Sequence, residues 1–489
     1  MLARARILEL LGNTLLLAAG VLVLVTVIAL PTAYLTTVTD LPARRLFTVL
    51  AVLPLAIPGY VLAYALQATG GQGPIYHLTS ILFGKPLYFQ RPSGYWAALV
   101  ALSIYNTPYL YLNLRAAFQR LDPALEEAAR SLGSRPRQVF FRVMLPQLLP
   151  GFLAGLLLVT LHVLGDFGVV SLMRYDTFSL SLYQEARFGG FASAAWPALT
   201  LVGLTVVLLA LDWRLLRTLV LSRVARGTRR HRSPTPLERW RLPAAGLLSL
   251  LTLICVVLPV GTIVYWATQG GGGDFWDKWP DTLGNSVRAS LPAALLATAM
   301  ALALGYLSNR FPSRLTFGLE RSAYLGYATP PLAFALGWVL AAIAASKALA
   351  SVGLPGLYQT LPLLVFAYTL HFIAEALGPI RTGLTVATPR LEEASRSLGR
   401  GGISTFFSVT VPLLWTALAV SVALVFLSAM KELPLTILLS PLDFDTLAKV
   451  VWDRASEISY AEAAPYALTI VVTSSLFVGI LLLRSDEAR

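Results

Sequence analysis

A run of about 20 apolar residues is long enough to cross the hydrocarbon core of a bilayer as a helix. This chain has eleven such runs: 11–35, 46–69, 95–114, 150–173, 192–212, 243–267, 285–307, 322–345, 357–378, 411–430 and 465–483. Pro54, Pro58, Pro108, Pro330 and Pro331 lie within or beside them. A membrane tolerates these prolines because neighbouring helices can satisfy the freed carbonyls. The expected fold class is all-α: a polytopic integral membrane protein. Only 13% of residues are charged and the mean hydropathy is +0.69, against about 25% charge in a soluble domain.

The connecting segments sort into two sides. Segments 36–45, 115–149, 213–242, 308–321, 379–410 and 484–489 hold 26 Lys and Arg; segments 70–94, 174–191, 268–284, 346–356 and 431–464 hold nine. Positive charge gathers on the cytoplasmic side, so the first set is expected there. The same bias accounts for the net charge of +13 without a nucleic-acid partner. The linker 213–242 alone has nine arginines, among them Arg229, Arg230 and Arg232 around His231. It reads as a topology signal beneath lipid headgroups. The N-terminus fits this scheme less well, because counting places Met1 outside while Arg4 and Arg6 favour the cytoplasm. Two readings account for that: a chain that starts late, with a preceding helix absent, or a shallow interfacial segment. The first helix lacks the cleavage site and length of a secretory signal and reads as retained.

Two polar islands repeat. Positions 123–133 read PALEEAARSLG and 389–399 read PRLEEASRSLG, nine of eleven identical at an offset of 266. Each is followed by a Phe pair, Phe140–Phe141 and Phe406–Phe407, and then by Val143-Met144-Leu145-Pro146 or Val409-Thr410-Val411-Pro412. The repeat extends to Leu11-Gly12-Asn13-Thr14 with Leu283-Gly284-Asn285-Ser286, Ala33-Tyr34 with Gly305-Tyr306, and Asp176-Thr177 with Asp445-Thr446. Six expected spans separate Gly133 from Gly399. An even number makes the halves parallel, about an axis along the membrane normal. The division is a first repeat 1–212 with its loop at 122–146, a basic cytoplasmic linker 213–242, and a second repeat 243–489 with its loop at 388–412. The second repeat has an extra leading helix, 243–267. A pseudo-twofold pair of cytoplasmic loops suits a partner that is itself a two-fold dimer.

Each loop carries helix signals. Asp122-Pro123 and Thr388-Pro389 offer an N-cap with proline at the first helical position. Glu126, Glu127, Glu392 and Glu393 fall in the early turns and Arg130 and Arg396 near the end, as the helix dipole favours. Gly133 and Gly399 fit the left-handed position that closes a helix. A second short helix is expected before Pro146 and Pro412.

These residues resemble a known family. Glu127-Ala128-Ala129, Gly133 and Val143-x-Leu145-Pro146 look like the EAA loop of ABC importer permeases, and Glu393-Ala394-Ser395, Gly399 and Val409-x-Val411-Pro412 form a second copy. Ser395 for alanine and Val411 for leucine are mild departures. The resemblance implies a coupling helix seated in a cytoplasmic ATPase, with Glu126, Glu127, Ala128, Gly133, Pro146, Glu392, Glu393, Ala394, Gly399 and Pro412 in the coupling surface. It implies two copies of the ATPase subunit using ATP and Mg, a solute-binding protein on the outer side, and residence in the cytoplasmic membrane of a prokaryote. Two EAA loops in one chain look like the ferric-iron permease group, with thiamine and aminoalkylphosphonate permeases as relatives. Leu164-Gly165-Asp166-Phe167-Gly168, Lys431-Glu432-Leu433-Pro434 and Phe444-Asp445-Thr446-Leu447-Ala448 are similar to the iron group. That family has twelve spans, six in each half; eleven are counted here.

A charge inside a span costs about 2.5–3.5 kcal/mol on insertion scales. Asp166 and Glu432 stand at matching repeat positions, with Lys431 beside the latter. They are suited to lining a cation path, or to capping a helix end and pairing locally. Glu375 and His371 are one helical turn apart, which fits a buried hydrogen bond or a gating role. His162 reads as a core histidine. Four histidines and the one cysteine, Cys255, are too scattered for a structural metal site, and no disulfide can form. The chain has neither a G-x-x-x-x-G-K-[ST] loop nor an H-E-x-x-H motif. It is therefore expected to bind no cofactor and to be a transport subunit, with ATP hydrolysed by another chain. An ATP-independent secondary transporter is the alternative of a different class.

Overall fold

The computed structural model describes residues 2–219, 234–270, 272–351 and 353–487. The Arg229–Arg232 run of the linker lies outside the described residues. Among the described residues every regular element is helical, and extended pairing is limited to two isolated bridges, Thr39 with Thr235 and Gly71 with Phe89.

Among the described residues, seven helices are long and apolar enough to cross a membrane: Ala5–Val38, Arg137–Gly165, Phe191–Asp212, Glu238–Thr268, Phe275–Arg310, Pro331–Ala350 and Leu361–Val386. Two bent pairs raise the number to nine if each is one span: Arg44–Ala56 with Gly59–Ala68, at 96°, and Gly402–Leu413 with Trp415–Met430, at 70°. The other expected runs, 95–114 and 465–483, lie in the helices Gly94–Gln119 and Tyr460–Glu487. The first of these buries Ser103, Asn106 and Thr107, which lowers its hydropathy below that of a lipid-facing span.

Several expected runs are divided: 46–69 at Ile57 and Pro58, 150–173 after Gly165, 411–430 after Leu413, and 322–345. Positions 322–345 do not form a single helix: Arg314–Ala328 ends there, Thr329 and Pro330 are extended, and a new helix runs Pro331–Ala350. The residue before a proline is driven out of helical geometry, and here two prolines follow in succession. The first repeat breaks at the matching place, where Ile57 is extended before Pro58.

The chain forms two compact units, Met1–Ser181 with Thr200–Gln269, and Leu182–Leu199 with Gly270–Arg489. This is a different partition from the sequence repeats 1–212 and 243–489. The first unit is centred on Leu2–Val38, Gly94–Gln119 and Leu145–Gly165 packed together; the second on Gly272–Arg310, Leu361–Val386 and Trp415–Met430. Without a hydrophobic drive between helices in lipid, close approach depends on small residues. In the first unit a Cβ on Gly151 would lie 2.9 Å from that of Ala117; in the second a Cβ on Gly383 would lie 2.9 Å from that of Ala417. Ala417 is the repeat counterpart of Gly151, and Gly383 of Ala117. Each crossing admits one methyl, on opposite helices in the two units.

The shorter repeated segments also prove to be contacts. The Asn13 side chain donates to the Asp176 carbonyl at 3.0 Å, and Asn285 to that of Asp445 at 3.2 Å. Thr14 Oγ1 accepts from Phe178 N, and Ser286 Oγ from Leu447 N. Each unit thus ties its first core helix to its own Asp-Thr segment by the same two bonds.

Candidate functional site

Both polar loops build the same helix. Pro123–Ser131 starts from Asp122, whose carboxylate accepts from Ala124 N at 2.9 Å. It ends with Gly133 at φ 82°, Gly133 N bonded to Arg130 O at 2.9 Å and Ser134 N to Ala129 O at 3.0 Å. Pro389–Ser397 ends alike: Gly399 is at φ 85°, bonded to Arg396 O at 2.9 Å, and Arg400 N reaches Ser395 O at 3.3 Å. This pair of bonds is the Schellman closure, which places glycine in the left-handed region. The start of the second helix differs from expectation. Thr388 occupies the cap position but its side chain makes no capping bond; its carbonyl accepts from Leu391 N at 3.2 Å instead.

The expected second short helices are present, Pro136–Val139 and Gly402–Thr405, but neither stops before its proline. Pro146 and Pro412 lack the N–H that a helix would present four residues back. Each chain widens into a π turn just before, Phe140–Met144 and Phe406–Thr410. In the first loop the helix then runs on into Leu145–Gly165. In the second it bends after Leu413.

Of the adjacent acids, one turns inward and the other out. Glu126 and Glu392 are buried, at 6% and 5% exposure, whereas Glu127, Ala128, Glu393 and Ala394 are exposed. Leu132 and Leu398 project from the helix ends, 87% and 84% exposed. The outer faces therefore combine acidic, small and apolar groups.

Glu392 is held from three sides. Arg310 donates through Nε at 3.1 Å and Nη2 at 3.0 Å to Oε1, Thr410 adds a bond of 3.1 Å to the same oxygen, and Tyr306 bonds Oε2 at 3.1 Å. Arg310 Nη2 also reaches the Ala387 carbonyl at 2.5 Å. Burial works against ionisation of Glu392, but the hydrogen bonds from Arg310, Thr410 and Tyr306 and the Arg310 charge outweigh it and hold the carboxyl below its usual value. Ser395 Oγ lies 3.1 Å from Thr405 Oγ1, so the serine that departs from the EAA pattern joins the two helices of its loop. Sequence reasoning did not single out Arg310 or Thr405, and met Tyr306 and Thr410 only as members of repeated segments. The available signal was an arginine closing the helix Gly272–Arg310 where its counterpart in the first repeat has Val38.

The candidate path residues fall into local settings. Asp166 Oδ1 accepts from Val169 N at 2.8 Å and Glu432 Oε1 from Leu435 N at 3.2 Å. Each carboxylate caps the short helix that follows, Gly168–Leu172 or Pro434–Leu439. Glu375 accepts from Ser428 at 2.7 Å and also meets Tyr327 and the charge of Lys431. His371 sits among the rings of Tyr327, Phe334 and Phe372, at 4.9–6.1 Å. His162 Nδ1 lies 2.8 Å from Leu158 O, with its ring 4.3 Å from that of Tyr109. Ser428 and Tyr327 were not anticipated as partners of Glu375. Cys255 is buried and free.

The family model described as "binding-protein-dependent transport system inner membrane component" matches residues 25–226 and again 294–485. Each match contains one of the two loops. The chain belongs to this family. It is an integral membrane importer permease with two copies of the family domain. The Fe(3+)-transport system permease protein FbpB 2 of Haemophilus influenzae is 31% identical over 486 residues, covering 97% of this chain and 90% of that protein. The molybdenum transport system permease protein ModB of Azotobacter vinelandii is 31% identical over 193 residues, 38% of this chain and 83% of that protein. A solved structure of the MetNI methionine ABC transporter, in an inward-facing conformation, matches 44% of this chain and 96% of its own at 20% identity and a TM-score of 0.35.

Proposed function

We propose that this permease forms the membrane pathway of an ATP-driven importer of ferric iron in the cytoplasmic membrane of a prokaryote. The observation that supports the substrate is the 31% identity that the iron permease relative keeps over nearly the whole chain. The iron permease relative aligns across both loops and 97% of the chain, whereas the molybdenum relative spans 38%.

In this reading an ATPase subunit docks at each loop, on Glu126–Pro146 and Glu392–Pro412, against the exposed Glu127, Ala128, Glu393 and Ala394. Closure of the ATPase pair, on ATP and Mg, tilts the two loop helices and opens the pathway outward; hydrolysis resets it. A solute-binding protein delivers its cargo to the outer segments 70–94, 174–191, 268–284 and 431–464. Asp166, Glu375, His371, Lys431 and Glu432 are the polar groups proposed along or beside the path. The caps formed by Asp166 and Glu432 support a positioning task for these two acids, since each fixes a short helix.

The test is uptake into proteoliposomes holding the permease with its ATPase and binding protein. Radiolabelled ferric ion, molybdate, spermidine, thiamine and an aminoalkylphosphonate are offered separately. Accumulation of iron alone, dependent on ATP, is expected. ATP-driven accumulation of another solute without iron would replace the substrate, and uptake without any ATPase would remove the mechanism.

A further inference from the structure

A cavity of about 180 Å³ lies between the helices Arg314–Ala328 and Leu361–Val386, lined by Phe317, Glu320, Arg321, Tyr324 and Arg381. Positions 317, 320, 321 and 324 share one face of the first helix by their spacing, and Arg381 meets that face from the last turns of the second. Glu320 is buried, and its Oε1 accepts from Arg381 Nη2 at 2.9 Å. The Arg321 guanidinium stands over the Phe317 ring at 5.0 Å. Among the described residues Arg321 pairs with no carboxylate, and Arg381 pairs with Glu320 alone.

Two guanidiniums against one carboxylate leave the cavity with one positive charge over. That charge lies where segments 308–321 and 379–410 meet the bilayer, on the side that the arginine count assigns to the cytoplasm. Phe317, Arg321 and Leu325 follow one another at four-residue intervals. The exposed Leu325 therefore continues the same stripe one turn further into the expected span. A cation at headgroup level followed by open apolar surface matches the order of groups in a phospholipid, phosphate first and acyl chain next.

We propose that this cavity binds the phosphodiester headgroup of an anionic phospholipid of the cytoplasmic leaflet, with Arg321 and Arg381 as its anion ligands. A guanidinium fork matches phosphate oxygens two at a time, and basic pockets between membrane helices on the cytoplasmic side hold such headgroups. Glu320 takes Nη2 of Arg381 and leaves the rest of that fork for the lipid. The single charge of a phosphodiester then balances the cavity. An occupied site ties Arg314–Ala328 to the end of Leu361–Val386, the helix that runs into the second loop, so lipid composition bears on that loop. The site depends on the chain's place in the membrane and on neither the cargo nor the ATPase.

The experiment places the full chain in phosphatidylcholine nanodiscs with a minor share of phosphatidylglycerol and counts retained lipid by native mass spectrometry. Retention of phosphatidylglycerol in preference to phosphatidylcholine is expected. Arg321→Gln, an exposed position whose loss spares the fold, should weaken that retention by about tenfold, the size of one lost charged hydrogen bond. Arg381→Gln made together with Glu320→Gln, so that no buried acid is left unpaired, should do the same. Arg314→Gln, on the same helix but outside the cavity, should keep wild-type retention. Equal retention by wild type and both cavity variants, or an equal loss in Arg314→Gln, would overturn the proposal. Glycerol 1-phosphate should fail to displace the lipid; displacement would assign the cavity to a soluble phosphate ester and overturn its lipid occupant.

Discussion

Arg310 Nη2 lies 3.0 Å from Glu392 Oε1 with both side chains only 7% exposed, joining the end of a long core helix to a helix 82 residues later in the sequence. Removing one member of a buried pair leaves the other charge uncompensated, at a cost of about 3–5 kcal/mol. Arg310→Met should therefore lower the thermal midpoint of the purified permease, and adding Glu392→Gln should return part of the loss. Additive effects in that double-mutant cycle would mean that the two side chains do not act as a unit.

The same carboxylate fixes a pH response. Its folded value lies below the ordinary one, so the stability it lends is complete above the unfolded value and fades only as pH falls through the folded one. Resistance of the second loop to proteolysis should stay level from pH 8 to about pH 5 and decline below the usual carboxylate range. Loss of protection between pH 8 and 6 would show that some other group controls the loop.

Gly133 and Gly399 have open space where a Cβ would stand, so their constraint is the left-handed backbone and not crowding. Valine at either should cost about 1–2 kcal/mol of local stability and unwind the Schellman closure. Asparagine, which tolerates that conformation, should cost less. Uptake per ATP is the measurement: valine lowers it, asparagine largely keeps it, and wild-type uptake by both valine variants would remove the closure from the coupling path.

The glycine–alanine crossings predict a rescue. Gly151→Ala brings two methyls to about the 2.9 Å separation found there and should destabilise by about 1–3 kcal/mol through overpacking. Ala117→Gly in the same chain restores the single methyl and most of the stability, the arrangement already present at Gly383 and Ala417. Calorimetry of the single and double variants would show it, and an undiminished midpoint for Gly151→Ala would mean that the helices separate at no cost.

Much of this was legible in the sequence where the physics is local. The proline at the helix start and the glycine at its end act over a few residues, so both loop helices could be placed from Pro123, Gly133, Pro389 and Gly399. The eleven apolar runs all meet helices, but several are broken, 46–69 at Pro58 and 322–345 at Pro330 and Pro331, a local signal whose strength depends on what packs nearby. Partners distant in sequence were hidden. Glu375 was read beside His371 on helical spacing, while Ser428 comes from a helix 53 residues away. Ser395 looked like a minor departure until Thr405 was seen opposite it. Arg310 read only as one more cytoplasmic arginine, because composition counts charges without saying which are buried.

Both loops must lie on one face of the membrane if one ATPase pair drives them. Cys255 is the sole cysteine, so Cys255→Ala gives a clean background for Arg130→Cys and Arg396→Cys, two exposed positions. A membrane-impermeant maleimide applied to inside-out and right-side-out vesicles reads the side of each. Labelling of both from the cytoplasmic face, blocked at both by the bound ATPase, is the predicted result; labelling of the two from opposite faces would contradict the account.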